Sequence, residues 1–226
     1  MDFLDLVRGP LLWLSIVVFL LGVSWQLFSL WRMPSAKAPP SPARQAYGKA
    51  AALRSALQRN VPKGGFHPSA TLVTVNPYVF HLGLAVVFFG YAPHIAFTHR
   101  LTGLWWPALP DMVMYVAAAL TIISLLLALL FRLTDSVLKR ISTADDFITW
   151  SVTFLPVITG MAVLNDSSAV TLLRDHVLYR GPLAVHLFSL ELLLMWFPFG
   201  KLMHAFWVLP ARMQLATFFG RRGVRS

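Results

Sequence analysis

The sequence predicts an all-α integral membrane protein with five transmembrane helices, its N-terminus outside and its C-terminus in the cytoplasm. Of the 226 residues, 57% are hydrophobic and only 12% are charged, whereas about a quarter of a soluble domain is charged. The charged residues cluster between long apolar runs, which is typical of polytopic membrane proteins. The chain has no cysteine, which excludes disulfides, cysteine-bound zinc or iron–sulfur clusters, and covalently attached c-type haem.

Five apolar runs define the spans, each near the roughly 20 residues that cross a bilayer. They are residues 10–31, 76–98, 111–131, 146–164 and 182–209, within a single predicted membrane domain, 1–226. Pro93, Pro156 and Pro198 lie inside the second, fourth and fifth spans. Each proline removes a backbone donor, so we expect a kink in each of these helices.

The distribution of Lys and Arg predicts the orientation. Fifteen of the 19 basic residues fall on one side: seven between the first two spans, three between the third and fourth, and five at the C-terminal end. Because cytoplasmic loops carry the excess of Lys and Arg, this side is predicted to be cytoplasmic. We therefore attribute the net charge of +10 to the basic cytoplasmic segments that set the membrane orientation, and we predict no nucleic-acid partner.

Residues 32–75 form a basic cytoplasmic segment, predicted to contain a short helix between Ser41 and Asn60. Such a helix either lies on anionic lipid headgroups or docks a cytoplasmic partner subunit. Residues 210–226 are predicted to be a basic cytoplasmic tail.

Four histidines lie inside the predicted spans, where an ionisable residue usually marks function. His81 and His94 lie in the second span, and His186 and His204 in the fifth, which runs in the opposite direction. His81 is therefore expected at the depth of His204 on the cytoplasmic side, and His94 at the depth of His186 on the outer side. Two imidazoles at one depth can ligate a haem iron from both faces, so the sequence predicts two b-type haems.

His99 is a rival to His94 as the outer ligand. His186 and His204 are 18 residues apart, which is about five helical turns, and His99 is also 18 residues beyond His81. However, His99 adjoins Arg100 at the end of the span, where a solvated residue is expected. We therefore prefer His94. Its 13-residue spacing from His81 is not a whole number of turns, and the Pro93 kink would correct the phase while unequal tilts would absorb the length.

Two motifs carry a resemblance to a known family. Residues 186–204 read HLFSLELLLMWFPFGKLMH, and residues 76–83 read NPYVFHLG. They resemble the gamma subunit of respiratory nitrate reductase, a dihaem cytochrome b in which two histidines flank a Phe-Pro-Phe and a basic residue. In that branch a histidine follows the glycine of the second helix, whereas here Tyr91 follows Gly90. The sequences APHI (92–95) and WWPALPD (105–111) are more similar to related subunits of sulfate-reducer membrane complexes, of the high-molecular-weight cytochrome and sulfite-reduction-associated types.

The resemblance implies an electron-transfer subunit of a quinone-linked respiratory complex rather than a stand-alone enzyme. It implies menaquinone as the substrate and a cytoplasmic iron–sulfur subunit as the partner. Other membrane subunits and an outer multihaem cytochrome c belong to the same implied assembly. The expected location is the bacterial cytoplasmic (inner) membrane, in contact with lipid.

A quinone site needs a hydrogen-bond donor or proton acceptor beside an apolar slot. The candidates are Tyr91, His99 and Arg100 near the outer haem, and Glu191, the acid deep in the fifth span. The alternative to a cytochrome is a haem-free quinone-binding membrane anchor, in which the histidines bond quinone or neighbouring helices. A small transporter would require the inverted repeats that this chain lacks.

Overall fold

The computed structural model describes residues 2–32, 49–58, 68–164 and 180–220, and every regular element in these ranges is helical. The α-helices are α1 (Phe3–Arg8), α2 (Pro10–Arg32), α3 (Lys49–Gln58), α4 (Pro68–Gly90), α5 (Ala92–Thr102), α6 (Asp111–Thr134), α7 (Ser136–Ile141), α8 (Ala144–Leu164), α9 (Arg180–Trp196) and α10 (His204–Gly220). A 3₁₀-helix, Lys201–Met203, precedes α10.

Four helical stretches are long and apolar enough to cross a membrane: Phe3–Arg32, Leu72–Gly90, Asp111–Thr134 and Ala144–Val163. The pair Gly181–Trp196 and Lys201–Phe218 supplies a fifth if it forms one span. Large apolar side chains such as Trp13, Leu21 and Leu82 are exposed on these helices, as expected of surfaces that face lipid. The prediction of an all-helical, multi-pass membrane protein is therefore confirmed.

The second predicted span, residues 76–98, does not form one continuous helix. α4 begins earlier, at Pro68, and ends at Gly90. Tyr91 is extended, with φ −81° and ψ 125°, and α5 begins at Ala92 with Pro93 in its first turn. Because a proline in the first helical turn costs no hydrogen bond, Pro93 starts a new helix instead of kinking an old one.

The fifth predicted span, residues 182–209, is also interrupted. α9 ends at Trp196, residues 197–200 form turns and a bend, and α10 begins only at His204. Pro198 has no N–H to continue the helical ladder. The five-turn relation between His186 and His204 holds only along an unbroken helix, so it does not describe these two residues.

The basic segment contains the predicted short helix, α3, but residues 33–48 and 59–67 lie outside the described residues. α4 includes residues 68–75, which the sequence assigns to the cytoplasmic segment. Likewise α10 continues to Gly220, so most of the predicted tail, 210–226, is helical. Residues 221–226 are not described.

Contacts divide the chain into two compact units. The first unit comprises residues 1–19 and 67–196, and the second comprises residues 20–66 and 197–226. In the second unit, α3 packs on α10 through its small side chains Ala52, Ser55 and Ala56, which are buried. There the Gln26 side chain donates from Nε2 to the Pro198 carbonyl, at 3.2 Å.

In the first unit, polar contacts join α4, α6 and α8. Asn76 on α4 donates to the Ser124 carbonyl at 2.9 Å, and the Ser124 hydroxyl lies 2.8 Å from Asn76 Oδ1. Trp150 on α8 donates from Nε1 to the Leu125 carbonyl on α6, at 2.8 Å. Interhelical hydrogen bonds of this kind contribute about 0.6–2 kcal/mol each in a membrane, so they fix which helices are neighbours.

α9 completes the first unit by packing against α8 and α1. On one side, Trp196 donates from Nε1 to Thr149 Oγ1 on α8, at 3.1 Å. On the other, Ala184 packs in a cluster with Leu4 and Val7 of α1, all three of them buried. α9 is therefore held between two helices and presents different faces to each.

Candidate functional site

The first unit brings two of the predicted ligands together. The rings of His94 on α5 and His186 on α9 have centroids 6.4 Å apart and planes only 18° from parallel. Both side chains are half-buried. Phe88 and Tyr91 flank the His94 ring, at centroid distances of 5.5 Å and 5.2 Å.

The end of α4 orients the His94 ring. The last four carbonyls of a helix have no intrahelical partner, and in α4 these are residues 87–90. His94 Nδ1 lies 3.3 Å from the Val87 carbonyl. A carbonyl can only accept, so Nδ1 carries the proton and a neutral His94 keeps Nε2 as an unprotonated, ligand-competent nitrogen.

Two further contacts satisfy the carbonyls at this helix end. Phe89 would normally bond the amide of residue 93, but Pro93 has none. The Trp106 indole donates to the Phe89 carbonyl instead, at 2.6 Å, and the Leu109 amide donates to the Gly90 carbonyl at 2.9 Å. The chain after α5 thus folds back and stabilises the break that positions His94.

The His186 ring is held from α8. Thr159 Oγ1 lies 3.2 Å from His186 Nδ1, and the Thr159 hydroxyl is also 2.6 Å from the Leu155 carbonyl. If the hydroxyl proton goes to Leu155, the hydroxyl oxygen accepts from Nδ1, which again leaves Nε2 unprotonated. A Cβ on Gly160 would lie only 3.1 Å from His186 Cε1. Glycine at this position therefore gives the ring the space that it occupies.

The other predicted pair lies in different units, and each residue is described in its own. In the first unit, His81 Nδ1 lies 2.6 Å from the Pro77 carbonyl. In the second, His204 Nδ1 lies 2.8 Å from the Lys201 carbonyl. Both side chains are exposed. All four predicted ligands thus share one feature, an Nδ1 held by a backbone or hydroxyl oxygen.

His99 has a different environment from His94. Its side chain is exposed, and its ring makes no hydrogen bond to any residue that the structure describes. With Arg100, it lines a groove of about 490 Å³ between α5 and the following loop, where Trp105 and Trp106 form the apolar wall. This volume lies within the range of small-molecule sites, about 300–1,000 Å³.

The two remaining candidates lie apart from this groove. Tyr91 is half-buried at the break before α5, with its ring edge-on to His94. Glu191 on α9 is 1% exposed, and neither carboxyl oxygen has a hydrogen-bond partner among the described residues. His67 and His176, the other two histidines, lie in ranges that are not described.

Sequence reasoning missed the residues that hold the ligands: Thr159, Gly160 and Trp106. Thr159 and Gly160 belong to a different helix from His186, so spacing along one span cannot reveal them. Trp106 had a detectable signal, because Pro93 leaves the carbonyl of the residue four positions earlier without its helical donor. That signal predicts that a donor is needed but does not identify it.

No family model matches this chain. A protein of Nitratidesulfovibrio vulgaris strain Hildenborough, named only "Protein", is 31% identical over 225 residues, which cover 96% of this chain and 94% of the relative. The two chains belong to one family. The similarity extends over nearly the whole of both chains. The relative's name states no activity.

Proposed function

We propose that this chain is a dihaem b-type cytochrome subunit of a membrane respiratory complex. It carries electrons between the quinone pool, with menaquinone as the implied substrate, and an iron–sulfur partner subunit. His94 and His186 are the proposed ligands of the outer haem iron. His81 and His204 are proposed as ligands of the second haem from their predicted depths.

The facing of His94 and His186 is the observation that carries this proposal. If both imidazoles held one metal, their ring nitrogens would lie close together, because a metal–imidazole bond is only about 2 Å long. The ring centroids lie farther out than the nitrogens, which is compatible with the 6.4 Å separation. A bound haem would supply a one-electron carrier at this position.

The donor set also fits a haem better than a bare ion. Within the described ranges, no three His, Asp or Glu side chains cluster closely enough to hold a metal ion. A haem iron requires only two protein ligands, because the porphyrin supplies the others. A hydrogen bond to the second ring nitrogen, as at both histidines, fixes a ligand's tautomer and raises its basicity.

The groove beside α5 supports a quinone site on the same side as His94. His99 and Arg100 offer polar groups, Trp105 and Trp106 offer aromatic surface, and His94 is five residues from His99, about 7.5 Å along α5. The excess of Lys and Arg on the opposite side supports a cytoplasmic position for the iron–sulfur partner and a location in the bacterial inner membrane.

The test is the haem content of the purified protein. We expect a reduced-minus-oxidised spectrum of cytochrome b type and about two non-covalently bound haems per chain by the pyridine haemochrome assay. A folded chain purified with its partners, with haem supplied during expression, that contains no haem would contradict the proposal. The haem-free quinone anchor would then be the better account of the groove at His99 and Arg100.

Replacing Gly160 is expected to weaken the outer haem site without touching a ligand. A leucine side chain would occupy the space of the His186 ring, because even a Cβ would lie 3.1 Å from His186 Cε1. We expect Gly160→Leu to lower the haem-to-protein ratio from about two towards one. Gly181→Leu is the matched control on α9, since a Cβ there meets nothing within 4 Å. Equal haem contents in the two variants would contradict this role for Gly160.

A further inference from the structure

Glu191 is a buried acid that the proposed electron path does not use. Its side chain is 1% exposed, and both carboxyl oxygens lack a hydrogen-bond partner in the described part of the chain. Buried polar groups are nearly always paired, so an unpaired one requires an explanation such as a redox role. Acids inside membrane spans are rare and commonly belong to proton pathways.

Helical geometry places Glu191 on a different face of α9 from His186. Ala184 and Glu191 are seven residues apart, about two turns, so they share the face that packs against Leu4 and Val7 of α1. His186 is about 140° away around the same helix. Glu191 is therefore not part of the groove at His99 and Arg100. It lies on the opposite side of α9 from the paired rings of His94 and His186.

Among the described residues, no charged group faces Glu191 from the helices that pack on α9. Thr149 and Thr159 of α8 contact Trp196 and His186 respectively, so Glu191 is level with the α8 residues between them. From Phe147 to its end, α8 has no charged residue, and Asp146 at its start is paired with Arg132. On α1, Asp5 and Arg8 are exposed to the surroundings, and α2 has no charge before Arg32.

Burial without a partner disfavours the ionised form of this carboxyl, which therefore needs a nearby positive charge from outside the described chain. The ionised form has no cation or donor, and the neutral form has no acceptor. In such surroundings the nearest variable charge decides between the two forms, because low-dielectric material screens charges poorly. His186 is only about 7.5 Å away along the helix axis, and the charge at its proposed iron changes by one when an electron arrives.

We propose that Glu191 is a redox-linked proton site, ionised while the iron held by His94 and His186 is oxidised and protonated when that iron is reduced. This inference rests on the proposed function. Quinol, or a chemical reductant in the experiment, gives one electron and converts iron(III) to iron(II). One proton passes from solvent to a carboxyl oxygen of Glu191, so that the added negative charge is balanced.

The test is a redox titration of both haems at several pH values across the neutral range. In the wild type, the midpoint potential of one haem is expected to fall with rising pH, by up to about 59 mV per pH unit for one proton per electron. Glu191→Gln should abolish most of this slope while retaining two haems, and Glu191→Asp should keep it. Asp111→Asn, which alters an exposed acid of the same unit, should leave the slope unchanged.

Potentials that do not depend on pH in the wild type, or an unchanged slope in Glu191→Gln, would overturn the inference while leaving a two-haem protein intact. A protein without haem would overturn the proposed function as well. If Glu191→Gln does not fold, reduced-minus-oxidised infrared spectra decide. We expect a protonated-carboxyl C=O band that moves in heavy water and in Glu191→Asp, and its absence would reject Glu191 as the proton site.

Discussion

Replacing His94 with alanine is expected to remove one of two haems, whereas replacing His99 is expected to remove none. His94 is the histidine whose ring faces His186, and the Val87 carbonyl holds its Nδ1. His99 is exposed on the same helix, and no described residue hydrogen-bonds its ring. Since a haem iron bound by one remaining imidazole is held weakly, the loss should be of the whole haem.

The measurement is the haem-to-protein ratio of the two variants, purified in parallel with the wild type. We expect about one haem per chain in His94→Ala, about one in His186→Ala, and about two in His99→Ala. His99→Ala is the same truncation on the same helix as His94→Ala, so it controls for general damage to α5. Loss of a haem in His99→Ala, with two retained in His94→Ala, would make His99 the ligand and leave His94 for another role.

The continuous spans could be predicted from sequence almost to the residue. The predictions 10–31, 111–131 and 146–164 correspond to α2 (Pro10–Arg32), α6 (Asp111–Thr134) and α8 (Ala144–Leu164). Long apolar runs with charged ends leave little freedom, because every backbone group in a bilayer must be bonded within its own helix. Local composition therefore determines these three elements.

The two interrupted spans depend on contacts that composition does not show. Pro93 is compatible both with a kink inside a helix and with the first turn of a new one. The second arrangement is stabilised by Trp106, which is 17 residues away from the Phe89 carbonyl that it bonds. Such a donor is supplied by tertiary structure, so the sequence could predict a disturbance at this position but not its form.

The break also resolves the phase problem that the sequence raised. Thirteen residues between His81 and His94 do not make a whole number of turns, and we expected a proline kink to correct this. The extended Tyr91 resets the helical phase, and α5 then carries His94 towards α9. In the fifth span, the 18-residue spacing of His186 and His204 suggested that both lie on one face of a helix. The break at residues 197–200 removes that regularity.

The second large effect is expected on the rate at which quinol reduces the haems, and it follows from the groove beside α5. A quinol headgroup loses its hydrogens as it is oxidised, so it needs polar groups that hold its oxygens and accept protons. His99 and Arg100 are the polar residues of the groove, and Trp105 and Trp106 form its aromatic wall. Leaving a buried ligand group unpaired costs about 1–3 kcal/mol, and about 1.4 kcal/mol corresponds to a tenfold change.

We therefore expect His99→Ala and Arg100→Ala each to slow haem reduction by a menaquinol analogue by about fivefold to a hundredfold at limiting concentration, the range to which about 1–3 kcal/mol corresponds. Both variants should keep two haems and the wild-type rate with dithionite, which needs no quinone site. Arg140→Ala, on the exposed surface of α7, is the control for lost positive charge. Quinol rates within about twofold of the wild type in both variants, well below the effect of one lost hydrogen bond, would exclude this groove as the quinone site. Because dithionite bypasses the groove, a defect confined to quinol would separate substrate binding at His99 and Arg100 from iron ligation at His94.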